Sequence, residues 1–209
     1  MTKKPIIHLH HGDLPEGITF GNCVAIDTET LGLNPLRDKL CLVQMSAGDG
    51  TCHMVKFDIS KPYNAPNLTK LLANKKVTKI FHYARFDVAV LFHYLNVIPK
   101  PIYCTKVTSK LTRTYVQRHG LKDLCSHLLS VSLDKQQQTS DWASETLSEE
   151  QLIYAANDVL YLHRLKEALD KNLKRDGRTD VARACFEFLP TCAKLDLAGW
   201  DTGELFSHS

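Results

Sequence analysis

The chain has 209 residues, 44% of them hydrophobic and 23% charged, with a formal net charge of +3. This fits one globular domain with a sizeable core, and the charge is too small for a protein that grips long nucleic acid by electrostatics alone. The seven cysteines are an odd number without a C-x-x-C pair, and the sequence holds no 18-residue apolar run and no apolar leader. The expectation is a soluble cytoplasmic protein, not a membrane protein, with reduced thiols packed as small hydrophobes.

In chain order, residues 1–22 read as irregular. His8, His10 and His11 cluster there without Cys or a further His pair at ligand spacing, so a surface segment is favoured over a metal site. The first strand is the apolar, partly β-branched run Cys23-Val24-Ala25-Ile26, which ends in Asp27-Thr28-Glu29. Alternate strand residues share a face, so Asp27 and Glu29 point the same way. Two such charges about 4 Å apart repel by roughly 4 kcal/mol at an effective dielectric of 20. A divalent cation between them would relieve that cost; a solvated strand end is the plainer alternative for so short a motif.

Gly32, Asn34 and Pro35 then break the chain. Strands are expected over 39–45 and 51–57 around an Ala47-Gly48-Asp49-Gly50 turn, completing a three-stranded antiparallel meander. A helix over 67–73, a strand over 79–82, a helix over 86–94, a strand over 101–104 and a helix over 105–115 follow. The predicted architecture is α/β: a mixed five-stranded sheet, the meander plus two further strands, flanked by helices. The best-signalled helix begins at Ser148, where Ser148-Glu149-Glu150-Gln151 forms a capping box and Leu147 and Leu152 a hydrophobic staple. It is expected to run to about Arg175, carrying Tyr154 and Asp158 on one face. No internal repeat or long linker appears, so residues 1–209 read as a single domain, with a core over about 20–178 and a C-terminal helix and tail over 179–209. Beyond Pro190 the helical period is lost, yet Leu195, Leu197, Trp200, Leu205 and Phe206 load this segment with apolar surface. Such a tail should dock, on its own core or on a neighbouring subunit.

Asp87, in His82-Tyr83-Ala84-Arg85-Phe86-Asp87, falls in the first turn of a helix. Alone, it suits the helix dipole. Together, a strand-end Asp-x-Glu, an Asp after a later strand and a Tyr-x-x-x-Asp on a late helix resemble the DEDD superfamily of 3′→5′ exonucleases, on the ribonuclease H-like fold. The tyrosine places the resemblance in the DEDDy subgroup. The stretch from Leu133-Asp134-Lys135-Gln136 through Ser140-Asp141-Trp142 to Tyr154-Ala155-Ala156-Asn157-Asp158-Val159-Leu160-Tyr161-Leu162 resembles ribonuclease D. Glu145-Thr146 departs from the Arg-Pro common there, and the residues after Arg178 are too few for that family's accessory domains, so the nano-RNase C (NrnC) family is the nearer likeness.

The resemblance implies a metal-dependent 3′→5′ exoribonuclease that releases nucleoside 5′-monophosphates from short single-stranded RNA, dinucleotides included, and assembles as a homo-octamer. A DNA-directed exonuclease is the alternative, and a non-catalytic scaffold on the same fold a distant third. It implies two divalent ions, Mg²⁺ or Mn²⁺, held by Asp27, Glu29, Asp87 and Asp158, with Tyr154 orienting the attacking water. Leu33 corresponds to a leucine that wedges between terminal bases in related enzymes, or simply packs on the core. Thr28, His82 and Arg85, with Arg113, are candidate substrate contacts against structural roles, and Trp142 is set between base stacking and packing on its own helix.

Overall fold

The computed structural model describes residues 4–133, 137 and 139–208. Asp134, Lys135 and Gln136, which carry part of the ribonuclease D resemblance, lie outside the described residues, as does the extreme N-terminus. Six strands form one sheet: β1 (Ile6–His11), β2 (Cys23–Thr30), β3 (Leu40–Ser46), β4 (Thr51–Lys56), β5 (Thr78–Phe81) and β6 (Ile102–Cys104), in the order β1-β4-β3-β2-β5-β6. The expected antiparallel meander is β2-β3-β4, and β5 and β6 extend it in parallel beside β2.

The sixth strand corrects the expected five. Residues 6–11 are not irregular: β1 pairs in parallel with β4, His8 opposite His53. Ile7 and Leu9 pack towards the core, while His8 and His10 lie with His53 on the other face, their ring centroids 4.9 and 5.4 Å from that of His53. The period of two was present, but histidines occupied its polar phase.

Helices cover both faces. One layer holds α1 (Pro66–Ala73), α2 (Ala84–Leu95) and α7 (Thr179–Leu197), packed over Val24, Ile26, Val43 and Phe81. The other holds α4 (Leu121–Leu129), α5 (Glu149–Leu160) and α6 (Leu162–Arg175), packed over Ala25, Leu42, Met54 and Ile80. Between β6 and α4 runs α3 (Thr105–Thr112), and α8 (Thr202–Leu205) closes the described chain.

Two helical expectations are revised. The helix predicted over 148–175 breaks at Tyr161, whose φ of −101° and ψ of −8° turn the chain, so that α5 lies on β2 and β3 while α6 packs on α3 and α4. The helical period does not end at Pro190: α7 runs through it to Leu197, with Leu189, Pro190, Cys192 and Ala193 buried. Burial of that face outweighs the roughly 3 kcal/mol a proline costs inside a helix. A Schellman turn then ends α7. Gly199, at φ +83°, donates to the Asp196 carbonyl and Trp200 N–H donates to Leu195 O.

Candidate active site

The capping box places α5. Gln151 N–H donates to Ser148 Oγ at 3.2 Å, and Ser148 N–H to Gln151 Oε1 at 2.9 Å. Ala155 and Ala156, both fully buried, let α5 approach the sheet, and the four-residue spacing then turns Tyr154 and Asp158 together towards the end of β2. On β2 the period of two brings Asp27 and Glu29 onto that same face. Asp27, Glu29 and Asp158 each offer a carboxylate oxygen, the three lying within 4.8 Å of one another. Among the described residues this is the only such group of His, Cys, Asp or Glu.

Thr28 points to the other face, where its hydroxyl donates to Asp87 Oδ1 at 2.8 Å. Asp87 is 3% exposed in the first turn of α2. Its base is fixed from outside the cleft: Arg85 forms a bidentate pair with Asp196 of α7, Nε lying 2.6 Å from Oδ2. All five residues named from the motifs, Asp27, Glu29, Asp87, Tyr154 and Asp158, line one cleft of about 550 Å³.

The electrostatics are those of crowded carboxylates. Burial first, then the charges of Asp87, Asp158 and Glu29, hold Asp27 well above the usual carboxylate range. Burial, then Asp158 and Asp87, do the same to Glu29, opposed by the Gln44 amide. Burial raises Asp87 to about 7 against the hydrogen bond from Thr28. Burial and the nearby carboxylates also raise the Tyr154 phenol, so near neutrality it is a proton donor rather than a phenolate. A hard cation matches this site on two counts: the donors are all oxygen, and their mutual repulsion is what a positive charge removes.

The remaining predicted contacts divide. Leu33 is 87% exposed at the cleft mouth, so packing on the core is excluded. His82 lines the cleft with Nδ1 2.9 Å from Thr105 Oγ1, and burial lowers its pKa to about 3. A neutral imidazole offers a phosphate no charge. Arg85 does not line the cleft, being committed to Asp196, and Thr28 spends its hydroxyl on Asp87. Arg113 is buried beneath, bonded to Ser109 and His127. Trp142 is 2% exposed, its ring centroid 6.1 Å from that of Tyr154, so it forms the cleft wall under the tyrosine.

Residues not singled out in the sequence also stand here. Lys106, its Nζ 4.2 Å over the Tyr83 ring, and Lys122 bring positive charge to the cleft. Gln44 of β3 faces Asp27 directly and donates through Nε2 to Asp27 Oδ2 at 3.4 Å and to Glu29 Oε1 at 3.3 Å. Its signal was a single amide within the apolar run Leu40-Cys41-Leu42-Val43-Gln44-Met45.

This fold and cleft define a nuclease class: the chain belongs to the 3′-5′ exonuclease family, whose model matches residues 13–174. Over nearly its whole length it is similar to NrnC of Brucella melitensis, with 57% identity across 98% of this chain and 99% of that one and a TM-score of 0.94. Structures of that protein bound to pGG and with bound Mg²⁺ superpose with TM-scores of 0.93 and 0.92. Ribonuclease D of Bartonella henselae is 33% identical over 157 residues, which is 75% of this chain and 38% of that protein. DNA polymerase I of Aquifex aeolicus is 35% identical over 140 residues, 67% of this chain and 22% of the polymerase. The chain thus spans well under half the length of these two curated relatives. The expected resemblance of the chain to ribonuclease D and NrnC is borne out.

Proposed function

We propose that the chain is an exoribonuclease that hydrolyses short RNA from the 3′ end, dinucleotides included, and releases nucleoside 5′-monophosphates. The observation that carries this reading is the convergence of Asp27, Glu29 and Asp158 oxygens within 4.8 Å in a cleft of about 550 Å³. Such a volume suits a small ligand better than a long strand, and the NrnC of Brucella melitensis, similar end to end, has been seen with pGG. Two divalent ions, Mg²⁺ or Mn²⁺, would be held by Asp27, Glu29 and Asp158 with Asp87 beside them. Bound there, such ions would supply positive charge against the charge building up on the phosphate.

The chain's own residues do the rest. Tyr154, neutral and hydrogen-bonded to Asp158, orients a water towards phosphorus. Lys106 and Lys122 attract the polyanion, and Leu33 at the mouth meets the terminal bases. Trp142 keeps Tyr154 in place. We further propose a closed homo-oligomer. The count of eight comes from the NrnC resemblance; what supports assembly is Trp200, Leu205 and Phe206, 59%, 45% and 67% exposed at the end of the chain. No helix among the described residues is long and apolar enough to cross a membrane, in keeping with the proposed cytoplasmic setting.

A second reading, DNA as substrate, draws on the likeness to DNA polymerase I. One experiment tests both. End-labelled RNA and DNA from two to about 20 nucleotides are incubated with Mg²⁺ and with EDTA. Rapid, EDTA-sensitive release of monophosphate from diribonucleotides is expected. Faster turnover of DNA at every length would transfer the proposal to the second reading, and rates rising steeply from two to ten nucleotides would remove the short-substrate preference.

A further inference from the structure

Gln44 is fully buried in the middle of β3, where its neighbours Leu42, Val43 and Met45 are apolar. A buried primary amide is costly unless its hydrogen bonds are made. Here its NH₂ is shared between two carboxylates of different residues, at 3.4 and 3.3 Å, while its Oε1 has no partner. With Nε2 towards the cleft the amide donates to both residues, and the reverse orientation would set Oε1 against their oxygens once they are ionised. The position follows from the sheet register: Gln44 is directly opposite Asp27, and Glu29 is two residues along the same face.

An NH₂ group only donates. Shared between the two, it ties the carboxylates at a fixed separation, the arrangement in which they can bind one cation together. We propose that Gln44 is a positioning residue of the nuclease site, which sets Asp27 and Glu29 for divalent-cation binding by bridging them through one amide nitrogen. The inference rests on the metal-dependent reading above and adds a residue that the acidic motifs do not contain. The unpartnered Oε1 marks a cost that an apolar side chain of equal length would not carry.

The test is Gln44→Met, which keeps length and flexibility and removes the donor. Mg²⁺ and Mn²⁺ affinities are read by calorimetry, folding by thermal melts in EDTA, and turnover across a metal titration. Metal affinity should fall by about tenfold or more, the usual range for groups that orient ligands. The half-activating metal concentration should rise by the same factor, with kcat at saturating metal nearly retained and an EDTA melt as high as wild type or higher. A smaller loss of affinity, or a loss matched by a lower EDTA melt, overturns the proposal and leaves the nuclease reading standing. Should Gln44→Met fail to fold, Gln44→Asn, one methylene too short to reach both carboxylates, takes its place under the same criteria. A wild-type protein that binds neither metal overturns both readings together.

Discussion

Asp87 is held by Thr28 but buried without a cation among the hydrogen-bonding partners described, and its pKa of about 7 has a consequence for stability. Between the ordinary 3.8 and about 7 the folded protein binds a proton that the unfolded chain releases. Stability of the metal-free protein therefore falls as pH rises through that window, by on the order of 4 kcal/mol from this group. Melts in EDTA from pH 5 to 8 should show the decline, and Mg²⁺ should flatten it; an EDTA melt that climbs across this range would contradict the burial argument. The same crowding predicts that Asp27→Asn or Asp158→Asn abolishes hydrolysis, while the EDTA melt stays within a degree or two of wild type or rises, because a like charge has gone. Tyr154→Phe should slow the single-turnover step by about 10²–10⁴ with substrate binding nearly unchanged. Weaker binding at an unchanged chemical rate would make Tyr154 a clamp for substrate instead. Asp27 and Glu29 stood out as carboxylates at the end of an apolar strand, whereas Asp87, Tyr154 and Asp158, on helices, were read with them only through the family resemblance. Gln44 was not legible, since one amide in an apolar run looks like a satisfied core residue, and Arg85 misled because its true partner, Asp196, is remote in sequence.

At the level of elements, α7 acts as a brace. It packs on α2, and its Asp196 grips Arg85 two residues before Asp87. Asp196→Ala should lower stability by roughly 1–3 kcal/mol, the range for a lost hydrogen bond to a charged group that is partly buried. Activity should fall more than the melt suggests if Asp87 loses its setting; an unchanged kcat in a destabilised variant would show that the brace serves only the fold. The elements themselves were legible where a short-range signal exists: turn residues bounded β2, β3 and β4, and the capping box fixed the start of α5. What escaped was decided by packing. No Gly or Pro marks the break at Tyr161, which lets α5 and α6 lie on different partners. At Pro190 the local rule said stop, and burial of Leu189, Cys192 and Ala193 carried the helix on.

Across the whole molecule, the docked part of the C-terminal segment and its free part are now distinct. Leu197 packs on the core, while Trp200, Leu205 and Phe206 face outward, Phe206 meeting Phe188 at 5.8 Å between centroids. Removal of the residues after Ala198 should leave the fold intact but reduce the mass measured by light scattering, if these aromatics anchor a neighbouring copy. An unchanged mass would assign them no part in assembly, and a full-length monomer would remove the oligomer proposal altogether. The mixed α/β sheet class was readable from the alternation of strand and helix periods; the edge strand β1 was not, because its polar phase is filled by histidines that meet His53 only through β4.

The acidic trio draws its members from β2, early in the chain, and from α5, late in it. During synthesis, Asp27 and Glu29 therefore wait for most of the sheet and for α5 before Asp158 joins them. On the proposed metal binding, cation capture would be a late event in folding, and a bound ion would latch α5 to the sheet, since a form with α5 lifted would lack the carboxylate of Asp158. Hydrogen exchange in α5 should slow when Mg²⁺ or Mn²⁺ is added, more than in β3 and β4, by the linkage between ligand binding and the closed state.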